Sequence, residues 1–309
     1  MKTVLLTGAS GRIGRRVVPL LLERGYHVRA MLRRANSEPW LNLVEVMQGA
    51  LPGEGIEAAM SGVDAVIHLG GIMPPVSDDE VFRTNIEGTY RILQTAAASE
   101  KKPRVLFASS DATYCTGWSL SSYSAPITED TEHHPAVFYG LSKVLGERMC
   151  LYFEELHEVP VVRLRFVWTL EAEEILDLFV KAPYRDYLVE ADRNAWDDSD
   201  VIAVPCEEDG SPFTEHVCDV RDAAMAVVVA LESDAAPGHA FNIAGPEPFR
   251  YMDTGAELAS ITGMRTIAAR CRGIHSYALS IEKARAVLGY RPQFRVMQSL
   301  QDALANNKK

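Results

Sequence analysis

The segment FYGLSK sets Tyr139 and Lys143 four residues apart, a phenol and an ammonium one helical turn from each other. On one helix face the lysine's charge can act both on the phenol and on a neighbouring sugar hydroxyl. A tyrosine's reference pKa is about 10, and bringing it to neutrality takes ~4 kcal/mol. A unit charge at roughly 4 Å, with an effective dielectric near 20, is worth about that much, which Lys143 helped by an oxidised nicotinamide could supply. Such a pair would serve as an acid/base at a hydroxyl or carbonyl. The spacing alone is a weak signal, because a chain with 11 tyrosines offers it by chance. The surrounding residues must give it meaning.

The second group that could do chemistry is TGASGRIG, with Gly8, Gly11 and Gly14 framing Ser10, Arg12 and Ile13. It directly follows the apolar run TVLLT and opens a helix-like stretch. There, backbone N–H groups and the helix dipole receive a pyrophosphate, and glycines allow the tight turn and close approach. NAD-selective sites place an acid about 20 residues on, at the end of the second strand. Here that strand reads VRAMLRR, and no Asp or Glu occurs between Glu23 and Glu38. Arg33 and Arg34 stand at the selecting position and Arg12 projects from the glycine loop. A guanidinium there pairs with a 2′-phosphate, so the residues favour NADP, with NAD the second choice. The alternative is two arginines on a solvated strand end.

The elements that must position these groups follow from the pattern of apolar runs. TVLLT, HVRAML, LVEVM, AVIHLG, RVLFASS and VVRLRF alternate with amphipathic stretches, which is repeated βαβ. The expected fold is α/β, a doubly wound parallel sheet of Rossmann type with a smaller C-terminal substrate subdomain. Residues 1–168 form the dinucleotide-binding domain, and 216–245 return to it with a helix near Arg221 to Glu232 and the strand AFNIAG. Residues 169–215 and 246–309 form the subdomain. The former is acidic, with Glu171, Glu173, Glu174, Glu190, Asp192, Asp197, Asp198, Asp200, Glu207, Glu208 and Asp209. A helix from about Gly11 to Arg24 carries Pro19 in its interior.

Composition limits the partners. A net charge of -11 repels phosphate backbones and anionic lipid, which argues against nucleic acid and membrane surfaces. No stretch approaches the roughly 20 apolar residues of a spanning helix. The opening MKTVLLTGAS mimics a signal peptide, but its apolar run ends after Leu6. Cys115, Cys150, Cys206, Cys218 and Cys271 form no C-x-x-C pair and fit reduced thiols, so a cytoplasmic protein is expected. His68, His133, His134 and His216 lack metal-ligand spacing, and no metal is expected.

Taken in order, TGASGRIG, DAVIHLGG, TNIEGT, VLFASSDATY, FYGLSK and SIEKARAVLGYRP resemble the extended short-chain dehydrogenases, also called the NAD-dependent epimerase/dehydratase family. The resemblance covers essentially the whole chain. It implies that Tyr139 is the acid/base, that Lys143 also binds the cofactor ribose, and that Ser110 bonds the same substrate oxygen, with Ser109 one register away. It also implies that Asn85 of the central helix and Leu69, Gly70 and Gly71 lie beside the cofactor. Several positions depart from the family pattern. Ala50 replaces an aspartate, leaving Ala50 and Leu51 to meet adenine through backbone. Phe166 replaces a proline beside the nicotinamide. Glu215 stands about where nucleotide-sugar enzymes carry a diphosphate-binding arginine, which disfavours a nucleotide-diphosphate sugar. Asp111 is followed by Ala112, so the acidic pair of the sugar dehydratases is incomplete; Asp111 tunes the site or caps a loop.

These readings predict an NAD(P)-dependent oxidoreductase that moves a hydride between the nicotinamide and a hydroxyl or carbonyl of a small sugar-like or other polar substrate. The alternatives are a sugar epimerase with retained NAD and a non-catalytic NADP-binding sensor. The helix beginning at FYGLSK is apolar on several sides, with Leu141, Leu145, Met149, Tyr152 and Phe153, and in the family this helix commonly pairs two chains. A homodimer is expected, with burial under the subdomain as the other explanation.

Overall fold

The computed structural model describes residues 2–34, 38–114, 116, 123, 125–180, 185–195 and 201–306. Cys115, Asp197, Asp198 and Asp200, named above, lie outside the described residues. Strand β1 (Thr3–Thr7) passes through the glycine loop into α1 (Gly14–Glu23). There follow β2 (His27–Leu32), β3 (Glu45–Gln48), α2 (Ile56–Met60), β4 (Ala65–His68), α3 (Asp78–Val81), α4 (Gly88–Ala98), β5 (Arg104–Ser110), α5 (Phe138–His157) and β6 (Val161–Phe166). The second half adds β7 (Thr169–Leu170), α6 (Ala172–Val180), α7 (Glu190–Ala195), β8 (Val201–Cys206), β9 (Thr214–Glu215), β10 (Cys218–Asp219), α8 (Val220–Glu232), β11 (Ala240–Ile243), β12 (Phe249–Arg250), α9 (Tyr251–Thr262), β13 (Arg265–Arg270) and α10 (Val296–Asn306).

Seven parallel strands form the main sheet in the order β3-β2-β1-β4-β5-β6-β11. Its strands are near-continuous apolar runs because helices cover both faces; all six residues of β6 are buried. One face packs on α1 and α8 through Val17, Val18, Leu21, Val227 and Val228. The other packs on α2, α4 and α5 through Ile56, Ile92, Leu93, Cys150 and Phe153. The strand order reverses between β1 and β4, which opens a crevice at the carboxyl ends of the strands. The expected doubly wound fold is therefore present, and its ligand crevice falls at the glycine loop.

The smaller subdomain has its own core around the parallel pair β8–β13, where Ile175, Phe179, Phe213, Phe249, Tyr251 and Leu300 meet. The C-terminal stretch divides between the two cores. Tyr277, Leu279, Ile281, Ala284, Leu288 and Tyr290 pack into the main core on the α8 side. Asp219 and Asp222 fasten this stretch: Asp222 accepts the backbone N–H groups of Gln293 and Phe294, and Asp219 accepts the hydroxyl of Ser299. No helix among the described residues is long and apolar enough to cross a membrane.

Two glycines set how closely α5 approaches the sheet. A Cβ on Gly146 would lie 2.4 Å from the buried ring of Phe107 in β5, and one on Gly140 would lie 2.4 Å from the carbonyl oxygen of Ala112. No larger residue fits either place without displacing its neighbour. The face of α5 between them carries Lys143 and Glu147.

Candidate active site

Ser110 ends β5 in register with Phe166 of β6, at the carboxyl edge of the sheet. The first turn of α5 sets Tyr139 beside it, and the Ser110 hydroxyl favours the phenolate form. One turn on, the Lys143 ammonium donates to the carbonyl of Ala108 at 2.8 Å and lies 5.7 Å from the centre of the Tyr139 ring. The three groups named from sequence thus converge. Ser109, the alternative register, points the other way and donates to Glu147 at 2.5 Å.

In the chain alone the phenol is not drawn toward neutrality. Burial pushes Tyr139 up to about 12, outweighing the Ser110 hydrogen bond, while the charge of Asp111 pushes the same way. Burial also brings Lys143 down to about 8. The Lys143 charge does not by itself offset the cost of removing the phenol from water. A further cation beside the phenol is needed to bring it toward neutrality.

Beneath the pair lies a buried polar layer that sequence reading missed. Arg165 of β6 grips Glu147 of α5 with Nε to Oε1 at 2.8 Å and Nη2 to Oε2 at 2.6 Å. Arg165 also donates to the Tyr114 hydroxyl and to the Glu129 carbonyl, and Tyr114 donates to Asn242 at 3.0 Å. Burial alone would raise the Glu147 carboxyl, but Arg165 outweighs it and holds it below the usual carboxylate range. This layer ties α5 to β5 and β6 directly below the reactive groups.

The glycine loop fits a bound pyrophosphate. Gly8 has φ +73°, and a Cβ there would lie 2.8 Å from the backbone of Leu69 and Gly70. A Cβ on Gly14 would meet the Gly8 carbonyl at 2.1 Å, so α1 starts hard against the loop with its amide end open. Ser10 and Gly11 are exposed and Ile13 packs on the main core. Packed beside the loop, Gly70 leaves room for the side chains of Thr7 and Leu51, and a Cβ on Gly71 would come within 3.2 Å of Asn85 and 3.4 Å of the Lys143 ammonium. Leu69, Gly70, Gly71, Asn85 and Lys143 therefore share one wall.

That wall is held by a hydrogen-bond chain whose direction can be derived. Asn85 lies in a π-helical turn, Phe82–Glu87, accepting from Ile72 N–H at 2.8 Å and donating to the Ile72 carbonyl and to Ser142 of α5. The Thr89 hydroxyl donates to the Asn85 carbonyl, so it must accept from His68 Nε2 at 3.0 Å. His68 Nδ1 then accepts from Thr7, which in turn accepts from Gly70 N–H. His68 is neutral, its pKa brought down to about 3 by burial and by the charge of Lys143. His68 is thus a buried strut of the cleft.

Beside the end of β2 lies a cleft of about 770 Å³ whose lining includes Arg33, Leu51, Pro52, Ile72 and Arg83. Arg33 and Arg34 are exposed at the end of β2, and Ala50 is exposed beside Leu51. Arg12 differs from expectation: it pairs with Glu174 of α6 at 2.5 Å, while Arg16 pairs with Glu171 at 2.8 Å. Part of the acidic stretch thus pairs with α1. Phe166 places its ring in the main core. Glu215 is buried, accepting the Tyr251 hydroxyl at 2.7 Å, and so does not present the free charge expected to repel a diphosphate.

Comparison with known proteins is consistent with this geometry. The family described as NAD dependent epimerase/dehydratase matches residues 4–244. The L-arabinose 1-dehydrogenase (NAD(P)(+)) of Haloferax volcanii is 29% identical over 185 residues, covering 57% of this chain and 70% of that protein. The uronate dehydrogenase of Agrobacterium fabrum is 32% identical over 170 residues, 53% of this chain and 61% of its own length. A solved short-chain dehydrogenase/reductase superfamily protein from Agrobacterium tumefaciens with bound NAD superposes with a TM-score of 0.86 at 28% identity, covering 99% of this chain and 97% of that one.

Proposed function

This chain belongs to the NAD-dependent epimerase/dehydratase family, and we propose that it is an NAD(P)-dependent oxidoreductase acting on a hydroxyl or carbonyl of a small sugar or sugar acid. The observation that carries the reading is the convergence of Ser110, Tyr139 and Lys143 on the stretch Gly70–Gly71, which packs against the glycine loop. Relatives named for arabinose and uronate oxidation support net redox chemistry on a polyhydroxylated substrate.

Residues around Gly8, Gly11 and Gly14 would hold the dinucleotide phosphates, and Lys143 with Asn85 would line the nicotinamide half. A bound dinucleotide would supply the hydride acceptor or donor. The chain's own work is to orient the substrate oxygen and to move its proton. Tyr139 takes that proton in the oxidation direction and returns it in reduction, while Ser110 holds the same oxygen. The Lys143 charge, added to that of an oxidised nicotinamide, favours the phenolate. Tyr139→Phe is expected to bind dinucleotide with wild-type affinity by calorimetry and to lose turnover by roughly 100-fold or more. Retained turnover would remove Tyr139 from the mechanism.

For the cofactor, NADP is supported by exposed Arg33 and Arg34 and by the missing acid at the end of β2. Arg12 contributes only if it leaves Glu174. Replacing Arg33 and Arg34 together by alanine is expected to weaken NADP binding by about 10-fold or more and NAD binding little. Equal loss for both dinucleotides would leave the preference without a basis.

A homodimer through α4 and α5 is supported by the exposed apolar side chains of Tyr90, Leu141, Leu145, Tyr152 and Leu156. Light scattering at micromolar concentration is expected to give twice the chain mass; the mass of one chain would contradict it. The four described cysteines are free and buried, which suits a reducing compartment and supports a cytoplasmic placement.

A further inference from the structure

Two charged side chains of the π-helical turn have no part in the reaction described above, and both line the cleft beside the end of β2. They are Arg83, which is exposed, and Glu87, which is half-buried and one turn further on. Among the described residues, no ion pair or side-chain hydrogen bond engages either of them. Glu80, the other carboxylate of the lining, is already committed: in the cap of α3 it accepts from the backbone N–H of Ser77 at 3.1 Å and from its hydroxyl at 2.8 Å.

The walls of the cleft are apolar and held in place. Leu51, Pro52, Ile72 and Val76 form them, with Arg33 at the end of β2. Leu51 is wedged: a Cβ on Gly70 would lie 2.8 Å from its Cδ1, and one on Gly88 would lie 2.9 Å from its Cβ. Glu87 directly precedes Gly88 and so stands beside that wall. Ala50, exposed next to Leu51, has no side-chain acceptor to offer. Strand order decides which half of a dinucleotide comes here. With the pyrophosphate at the glycine loop after β1 and the reactive groups on β5 and α5, the other half falls toward β2 and β3.

We propose that this cleft takes the adenine ring and that Glu87 and Arg83 read its amino edge. The inference rests on the dinucleotide-dependent reading above and adds the groups that select the base. Adenine carries a 6-amino donor flanked by ring-nitrogen acceptors. A carboxylate only accepts and a guanidinium only donates, so Glu87 takes the amino hydrogen and Arg83 gives to the ring nitrogen beside it. Hypoxanthine has an oxo group at the same place, which sets an acceptor against the Glu87 carboxylate and leaves both unpaired. Selection comes from that mismatch as much as from the contact made with the right base. The apolar walls remove the ring faces from water whichever purine is bound, and so do not discriminate.

Calorimetric titration with NADP and NAD, each against its hypoxanthine counterpart, tests the assignment without turnover. Wild type is expected to bind the adenine forms roughly tenfold or more tightly. Glu87→Gln is expected to bring the two bases within about twofold, because a carboxamide can turn its carbonyl to an amino group or its NH2 to an oxo group. Arg83→Ala is expected to weaken NADP and NAD by the same factor, about threefold or more. A loss confined to NADP would assign Arg83 to the 2′-phosphate and overturn its part in reading the base. Equal affinity of wild type for the two bases, or discrimination unchanged in Glu87→Gln, would overturn the proposal and leave dinucleotide binding, and with it the oxidoreductase reading, in place. A wild type that binds neither dinucleotide would refute that reading and the inference together.

Discussion

A primary ammonium almost wholly removed from water is costly unless something holds it there, and Lys143 is such a group. Its described hydrogen-bond partner is the Ala108 carbonyl near the end of β5, and the rings of Phe107 and Tyr139 flank it. The site depends on this placement. It requires α5 to lie close against β5, which Gly140 and Gly146 permit, and it leaves the charge facing the backbone of Gly71 at the mouth of the crevice. The same burial that lowers Lys143 raises Tyr139, so the pair is poised for a ligand charge that the chain does not itself provide.

Around that charge, two networks fix the geometry from opposite sides. The Glu147–Arg165 pair binds α5 to β6 from below, and removing one partner of such a buried pair costs ~3–5 kcal/mol. The chain from Gly70 through Thr7, His68 and Thr89 to Asn85 binds β1, β4 and the π-helical turn from the side. Both networks are buried and densely hydrogen-bonded, which fixes the groups they join. Groups that must act together within a few ångströms need this kind of support.

Much of this was legible in the sequence because it is local. The glycine loop, the apolar runs of the parallel strands and the Tyr139–Lys143 spacing each lie within a short window, and all appear where they were expected. What was not legible depends on distant partners. Nothing near Arg12 announces Glu174, 162 residues away, and nothing near Glu147 announces Arg165 on the neighbouring strand. His68 and Glu215 look like free polar groups until the fold surrounds them with hydroxyls. Burial of Tyr139, which raises the phenol in the chain alone, likewise cannot be read from spacing.

The most direct test of the central placement is the titration of the Lys143 ammonium by NMR of side-chain-labelled lysine in the dinucleotide-free protein, with the signal assigned by Lys143→Arg. Burial disfavours the charged form, so the account predicts a midpoint depressed to about 8. A midpoint at the ordinary lysine value of 10.5 would mean that the ammonium sits in water. The close packing of α5 on β5, and the site built on it, would then be contradicted.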